Sequence, residues 1–159
     1  MTINFIYYIL LTFFIISSVI GLDNDDISFV KTNSTDAVGN TFTFTIKTMK
    51  IDNGDEILIN GFGYSLYTFS KDDNGISSCY GLCSIRWPPV ILSNLISIDS
   101  QSPLNTTSFT LSRRKKGLMQ LNYNNSPLYY FIWDLPYKKP KGNGKNEFKG
   151  NFTTIRINN

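Results

Sequence analysis

Histidine does not occur in the 159-residue chain. Its absence removes Ser-His-Asp and Cys-His nucleophile activation, ordinary His-ligated haem and the common zinc sites. Cysteine is nearly as scarce. Cys79 and Cys83 cannot complete a structural zinc site alone, and their Cys-x-x-x-Cys spacing is not the Cys-x-x-Cys of thioredoxin-like redox motifs. No convincing amphipathic helix of useful length follows residue 21. A net charge of +3 does not suggest a nucleic-acid binder. The expectation is a chain without catalytic residues, metal or cofactor.

No charged side chain precedes Asp23, and Phe5–Ile20 is apolar apart from Thr12, Ser17 and Ser18. Val19 and Gly21 suit the −3 and −1 positions of a signal-peptide cut, so residues 1–21 read as a secretory leader. The usual Lys or Arg before the apolar run is missing. An uncleaved anchor is the alternative, since the run approaches the ~17 residues needed to span a bilayer. In an oxidising compartment Cys79 and Cys83 read as a disulfide. So short a loop stabilises by about 2 kcal/mol, shaping a turn more than holding a fold. Asn33, Asn105 and Asn151 begin Asn-x-Thr/Ser tripeptides and become glycosylation candidates in a eukaryotic host. Asn124-Asn125-Ser126 also fits, but Pro127 follows it.

The remainder reads as strands and turns. Residues 22–41 are a polar, irregular lead-in with one short strand at Ile27–Lys31, and 42–157 form a single β domain. Phe42–Lys47 alternates apolar and polar residues. Asp52-Asn53-Gly54-Asp55 turns the chain into a strand at Glu56–Ile59. In Tyr64–Ser70, Tyr67 and Phe69 share one face. Pro88-Pro89 ends regular pairing. Val90–Ile98 is ambiguous between a strand pair and helical turns. Leu118–Tyr123, a turn at Asn124-Asn125-Ser126 and a strand at Leu128–Trp133 follow. Tyr137–Asn146, rich in Lys, Gly and Pro, reads as a mobile loop, and Phe152–Ile157 as a closing strand. Positive charge gathers at Arg113-Arg114-Lys115-Lys116 and at Lys138, Lys139, Lys141, Lys145 and Lys149.

One stretch is repeated. Ser65–Asp72, SLYTFSKD, is echoed by Pro127–Asp134, PLYYFIWD, giving Tyr67-x-Phe69-x-x-Asp72 and Tyr129-x-Phe131-x-x-Asp134. With Cys79, Cys83 and Trp87-Pro88-Pro89 between the copies, the pattern resembles the family of secreted repeats of unknown function, best known as bacterial lipoproteins. No cysteine follows the apolar run, so the lipid attachment of those relatives is not available here. The resemblance also implies an Arg-x-Asp-Gly-x-x-Gln segment. Arg114, Gly117 and Gln120 match it, with Lys116 in the Asp position. The Trp that relatives tend to show in the final strand is replaced by Phe148 or Phe152.

The fold expected is all-β, with two related antiparallel hairpin repeats (about 57–89 and 117–136) packed into one small sandwich or barrel-like domain. Asp72 and Asp134 are either a carboxylate pair binding a cation or sharing a proton, or strand-ending residues that accept backbone N–H groups. Asp72-Asp73-Asn74-Gly75 resembles a calcium-loop start but lacks the bidentate Glu, so a turn is favoured. Tyr67, Phe69 and Phe131 read as core, while Tyr130 or Trp133 could stack on sugar. The leading functional reading is a secreted, non-catalytic module binding an extracellular ligand such as a polysaccharide. The alternatives are an extracellular redox or cofactor-associated protein using Cys79 and Cys83, and a carboxylate hydrolase using Asp72 and Asp134.

Overall fold

The computed structural model describes residues 29–35, 41–92, 97–100 and 104–157. The leader expected over residues 1–21 lies outside them. Almost everything described is antiparallel strand or turn, and no sheet closes into a barrel.

The first sheet has five strands in the order β12-β3-β2-β1-β6, formed by Arg156–Ile157, Glu56–Asn60, Thr41–Lys50, Phe29–Thr35 and Ser97–Ser100. The turn at Asp52–Asp55 sets Lys50 opposite Glu56, with Gly54 at φ 84°, where a side chain would be strained. The strand expected near Ile27–Lys31 runs on through the polar lead-in as Phe29–Thr35. It pairs along its length with β2 and over Val30–Asn33 with β6. Val90–Ile98 resolves in part as two strands, β5 (Ile91–Leu92) and β6.

The second sheet is β10-β11-β4, from Lys145–Glu147, Gly150–Thr154 and Tyr67–Phe69. The third places β8 (Met119–Tyr123) between β5 and β7 (Phe109–Arg113), with β9 (Ser126–Pro127) also paired to β8. Asn124 and Asn125 both take positive φ, as a type I′ hairpin turn requires. Gln120, Leu121 and Asn122 are buried in succession, because both faces of β8 are covered. Helix is confined among the described residues to α1 (Leu82–Arg86) and two short 3₁₀ turns.

Two expectations are corrected. Leu128–Trp133 is not a strand matching β4. Only Tyr129 forms β-bridges, to Tyr67 on one side and Pro89 on the other, while Leu128, Tyr130 and Ile132 make single backbone hydrogen bonds to Val90, Pro88 and Arg86. Tyr137–Asn146 is not a free loop but a series of hydrogen-bonded turns running into β10. Within the basic cluster at 113–116, Arg114 is buried.

Apolar side chains gather in two clusters. The aliphatic one draws Ile46 and Leu58 from the five-stranded sheet and Leu92, Phe109 and Leu121 from the four-stranded sheet. The aromatic one holds Tyr67, Phe69, Trp87, Tyr129, Phe131 and Phe152 together with both cysteines. The two copies contribute in parallel. Leu66 and Leu128 enter the aliphatic cluster, while Tyr67, Phe69, Tyr129 and Phe131 enter the aromatic one.

Candidate functional site

The copies meet at their tyrosines. Tyr67 N–H donates to the Tyr129 carbonyl at 3.0 Å, and Tyr129 N–H donates back to the Tyr67 carbonyl at 2.9 Å. Such a reciprocal pair puts both side chains on one face of the ribbon. Each ring then reaches the aspartate of the other copy. The Tyr67 hydroxyl donates to Asp134 Oδ2 at 2.5 Å, and that of Tyr129 to Asp72 Oδ2 at 2.6 Å.

The second oxygen of each carboxylate holds the loop that follows it. Asp72 Oδ1 accepts from Ser78 N–H and the Ser78 hydroxyl, at 2.8 and 2.9 Å. Asp134 Oδ1 accepts from Lys141 N–H at 2.8 Å. The neighbouring Gly142 N–H donates to the Tyr67 hydroxyl at 3.3 Å. These bonds give Tyr137–Asn146 the order that its composition did not suggest. The two carboxylates share no hydrogen-bond partner.

Burial sets the electrostatics. Desolvation raises both carboxyls above the ordinary aspartate range, opposed by the donors just named. The phenols of Tyr67 and Tyr129 are pushed well above their usual value, first by burial and then by the adjacent carboxylates. Tyr130 is raised by burial alone. Its hydroxyl meets Asn60 Nδ2 at 3.3 Å and its ring packs on the aliphatic cluster, which removes it as a candidate sugar platform.

Around the tyrosines the rings are ordered. Phe152 lies stacked between Trp87 (3.7 Å, 4°) and Phe69 (4.2 Å, 9°). Tyr67 meets Trp87 edge-on at 5.3 Å, and Tyr129 meets Phe152 edge-on at 5.9 Å. Phe152 thus occupies the heart of the cluster, on the last long strand. Gly142 lies flat against it: an added Cβ would stand 2.8 Å from Trp87 and 3.0 Å from Tyr67.

Cys79 and Cys83 are joined, with Cα atoms 5.3 Å apart, and both are buried in the aromatic cluster. Beside them Arg114 makes the densest polar contact of this region. Its Nη1 donates to Ser77 Oγ and Gln120 Oε1, and its Nη2 to the Cys79 carbonyl, each at 2.5 Å. Ser77 Oγ also lies 2.7 Å from the Tyr129 hydroxyl, so this network continues into the Asp72 pair. Lys116, which stands in the Asp position of the resemblance, has φ 69° and forms a turn residue. Sequence reasoning matched Arg114 and Gln120 but gave Ser77 and Glu147 no part. Glu147 accepts from Trp87 Nε1 at 3.0 Å and pairs with Arg86 at 3.2 Å. A single Glu in a lysine-rich segment carries no signal of that role.

Trp133 stays at the surface, 48% exposed. The Arg86 guanidinium lies 4.4 Å from its ring centroid, and Phe131 meets it edge-on at 5.1 Å. Asp73-Asn74-Gly75 is a tight turn closed between Asp73 and Ile76. Among the described residues, no group of three or more Cys, Asp or Glu could hold a metal ion. Asn105 and Asn151 are exposed. Asn33 lies in β1.

The geometry defines an all-β module of antiparallel sheets whose repeated tyrosines and aspartates are exchanged between copies. Residues 47–91 match the family model of a secreted repeat of unknown function. That stretch holds the first copy, the cysteine loop and Trp87, and ends before the second copy. No curated protein and no solved structure matches the chain. No helix among the described residues is long and apolar enough to cross a membrane.

Proposed function

We propose that the chain is a secreted, non-catalytic module of the extracellular or cell-surface space, whose repeated motif builds the fold and whose exposed aromatic and basic surface takes the ligand. The observation that carries this reading is the exchange of partners. Asp72 and Asp134 each already hold a buried tyrosine of the other copy and a loop amide. Carboxylates so engaged are poorly placed to bind a cation or attack a sugar. Because they share no partner, nothing favours the paired-acid hydrolase. The buried disulfide likewise offers little surface for thiol exchange.

The ligand face centres on Trp133. Its ring is held by Arg86 and Phe131 and remains half open, the condition for stacking on a flat ligand such as a sugar ring. Ile132 beside it is also exposed, and the exposed Lys138 and Lys139 of the following loop carry positive charge that suits an anionic polysaccharide. Asn105 and Asn151 are the accessible glycosylation candidates.

A glycan array with the full chain, Trp133→Ala and Asp72→Asn/Asp134→Asn tests this reading. The tryptophan variant is expected to lose binding at least tenfold, and the double variant to keep it while its near-UV spectrum stays native. Loss in a correctly folded double variant, with Trp133→Ala unaffected, would move the site to the repeated aspartates.

A further inference from the structure

Aromatic rings form an unbroken file from the surface to the repeat axis. Trp133, half exposed, contacts Phe131 at 5.1 Å, Phe131 lies 4.4 Å from Trp87, and Trp87 meets Tyr67 at 5.3 Å. The file ends on a phenol whose proton already points at a carboxylate, Asp134, 2.5 Å away. A phenol that loses an electron becomes a strong acid, so its oxidation is easiest where a base stands within hydrogen-bond reach. Asp134 is such a base, fixed by the Lys141 amide in a buried setting. Trp87 also has a carboxylate neighbour, but Glu147 is drawn toward Arg86 and is the weaker acceptor. Tyr129 has the same kind of partner in Asp72, but it reaches Trp87 only across Phe152, whereas Tyr67 meets Trp87 directly.

We propose that this file carries one-electron oxidising equivalents inward from Trp133 to Tyr67, where they rest as a neutral tyrosyl radical whose proton is held by Asp134. The co-reactant is a one-electron oxidant at the surface, such as a high-valent metal complex or a peroxide-derived radical. Trp133 gives it one electron and is refilled from Trp87 in a single transfer across the Phe131 ring, which is not itself oxidised, and Trp87 is refilled from Tyr67. As the Tyr67 electron leaves, its O–H bond breaks and the proton forms an O–H bond to Asp134 Oδ2. The oxidant is reduced by one electron, and the tyrosine–carboxylate pair becomes a tyrosyl radical and a carboxylic acid. An electron from any later reductant returns the proton to the phenol. This inference does not depend on the binding role proposed above.

The test is flash oxidation of the full chain by photogenerated tris(bipyridine)ruthenium(III), followed by freeze-quench electron paramagnetic resonance. The unmutated chain is expected to give a neutral tyrosyl signal. Trp133→Phe should lower its early yield several-fold, and Tyr67→Phe should abolish it and leave a tryptophanyl signal. An unchanged tyrosyl signal in Tyr67→Phe, or an unchanged yield in Trp133→Phe, would overturn the proposal. Should Tyr67→Phe fail to fold, electron–nuclear double resonance on the unmutated radical decides the matter. Coupling to the exchangeable proton held by Asp134, beside that of the Gly142 N–H, supports Tyr67, whereas a water-coordinated oxygen places the radical on an exposed tyrosine and refutes it.

Discussion

Tyr67 and Tyr129 each hold a proton that the folded chain will not release near the ordinary tyrosine range, and Tyr130 behaves alike. In the unfolded chain these phenols ionise at the ordinary tyrosine value, near 10.0. Above that pH the unfolded state sheds protons the native state keeps, so stability falls as pH rises. The slope is about 1.4 kcal/mol per pH unit for each tyrosine. Urea unfolding between pH 10 and 11 should show it, and Tyr67→Phe or Tyr129→Phe should each remove one proton from the difference. The aspartates act at the acid end. Their native values lie above the unfolded 3.8, so the native state binds the proton first. Their contribution to stability therefore weakens as pH climbs from 3.8 through the raised native values. Comparing acid unfolding of the wild type with Asp72→Asn/Asp134→Asn isolates this contribution from that of the other carboxylates, and the difference should be independent of pH below the unfolded value and change as pH rises through the raised native values. Arg114 carries the heaviest single load. Replacement by Met leaves Ser77, Gln120 and the Cys79 carbonyl without their charged donor, at a cost of roughly 3 kcal/mol or more, read as a lower urea midpoint.

Among the elements, the β10–β11 hairpin turns on Phe148 and Lys149, both at positive φ (53° and 65°). Bulky side chains are strained there, and Asn-Gly suits the same turn. Replacing Phe148-Lys149 by Asn-Gly should stabilise the chain by about 1 kcal/mol in chemical denaturation. Gly142→Ala should do the reverse. Its Cβ enters the space of buried Trp87 and Tyr67, an overpacking that costs about 1–3 kcal/mol and lowers the melting temperature. Elements whose cause is local were readable in the sequence. Asn53-Gly54 and Asn124-Asn125 announce their turns through residues that accept positive φ, and the alternation of Phe42–Lys47 announces β2. Elements whose cause is distant were not. Leu128–Trp133 has every mark of a strand, yet its backbone bonds to Arg86, Pro88 and Val90 form no continuous ladder and only Tyr129 makes β-bridges. Tyr137–Asn146 looks unstructured because its order is supplied by Asp134 and Tyr67. The motif residues were visible as a repeat, but their exchange was not: Tyr67 and Asp134 are separated by 67 positions, and the same spacing pattern serves a turn within one copy equally well. Arg114 was legible as a motif position, but its burial was not, since a run of basic residues does not say which one turns inward.

At the scale of the molecule, the aliphatic and aromatic clusters are joined through the chain itself, because Leu66 and Tyr67 are adjacent and so are Leu128 and Tyr129. Damage to one cluster is therefore transmitted to the other. Trp87→Ala removes the ring that Tyr67, Phe131 and Phe152 all touch, at an expected cost of about 3–5 kcal/mol. Tryptophan fluorescence from the remaining Trp133 and far-UV circular dichroism should then report a single, earlier transition. The exchanged tyrosines carry a further consequence, for ancestry and for engineering. A polypeptide bearing one copy would have a phenol without its carboxylate and a carboxylate without its phenol. Two such polypeptides could satisfy each other across a twofold axis, which would make a one-copy polypeptide the protomer of a symmetric dimer.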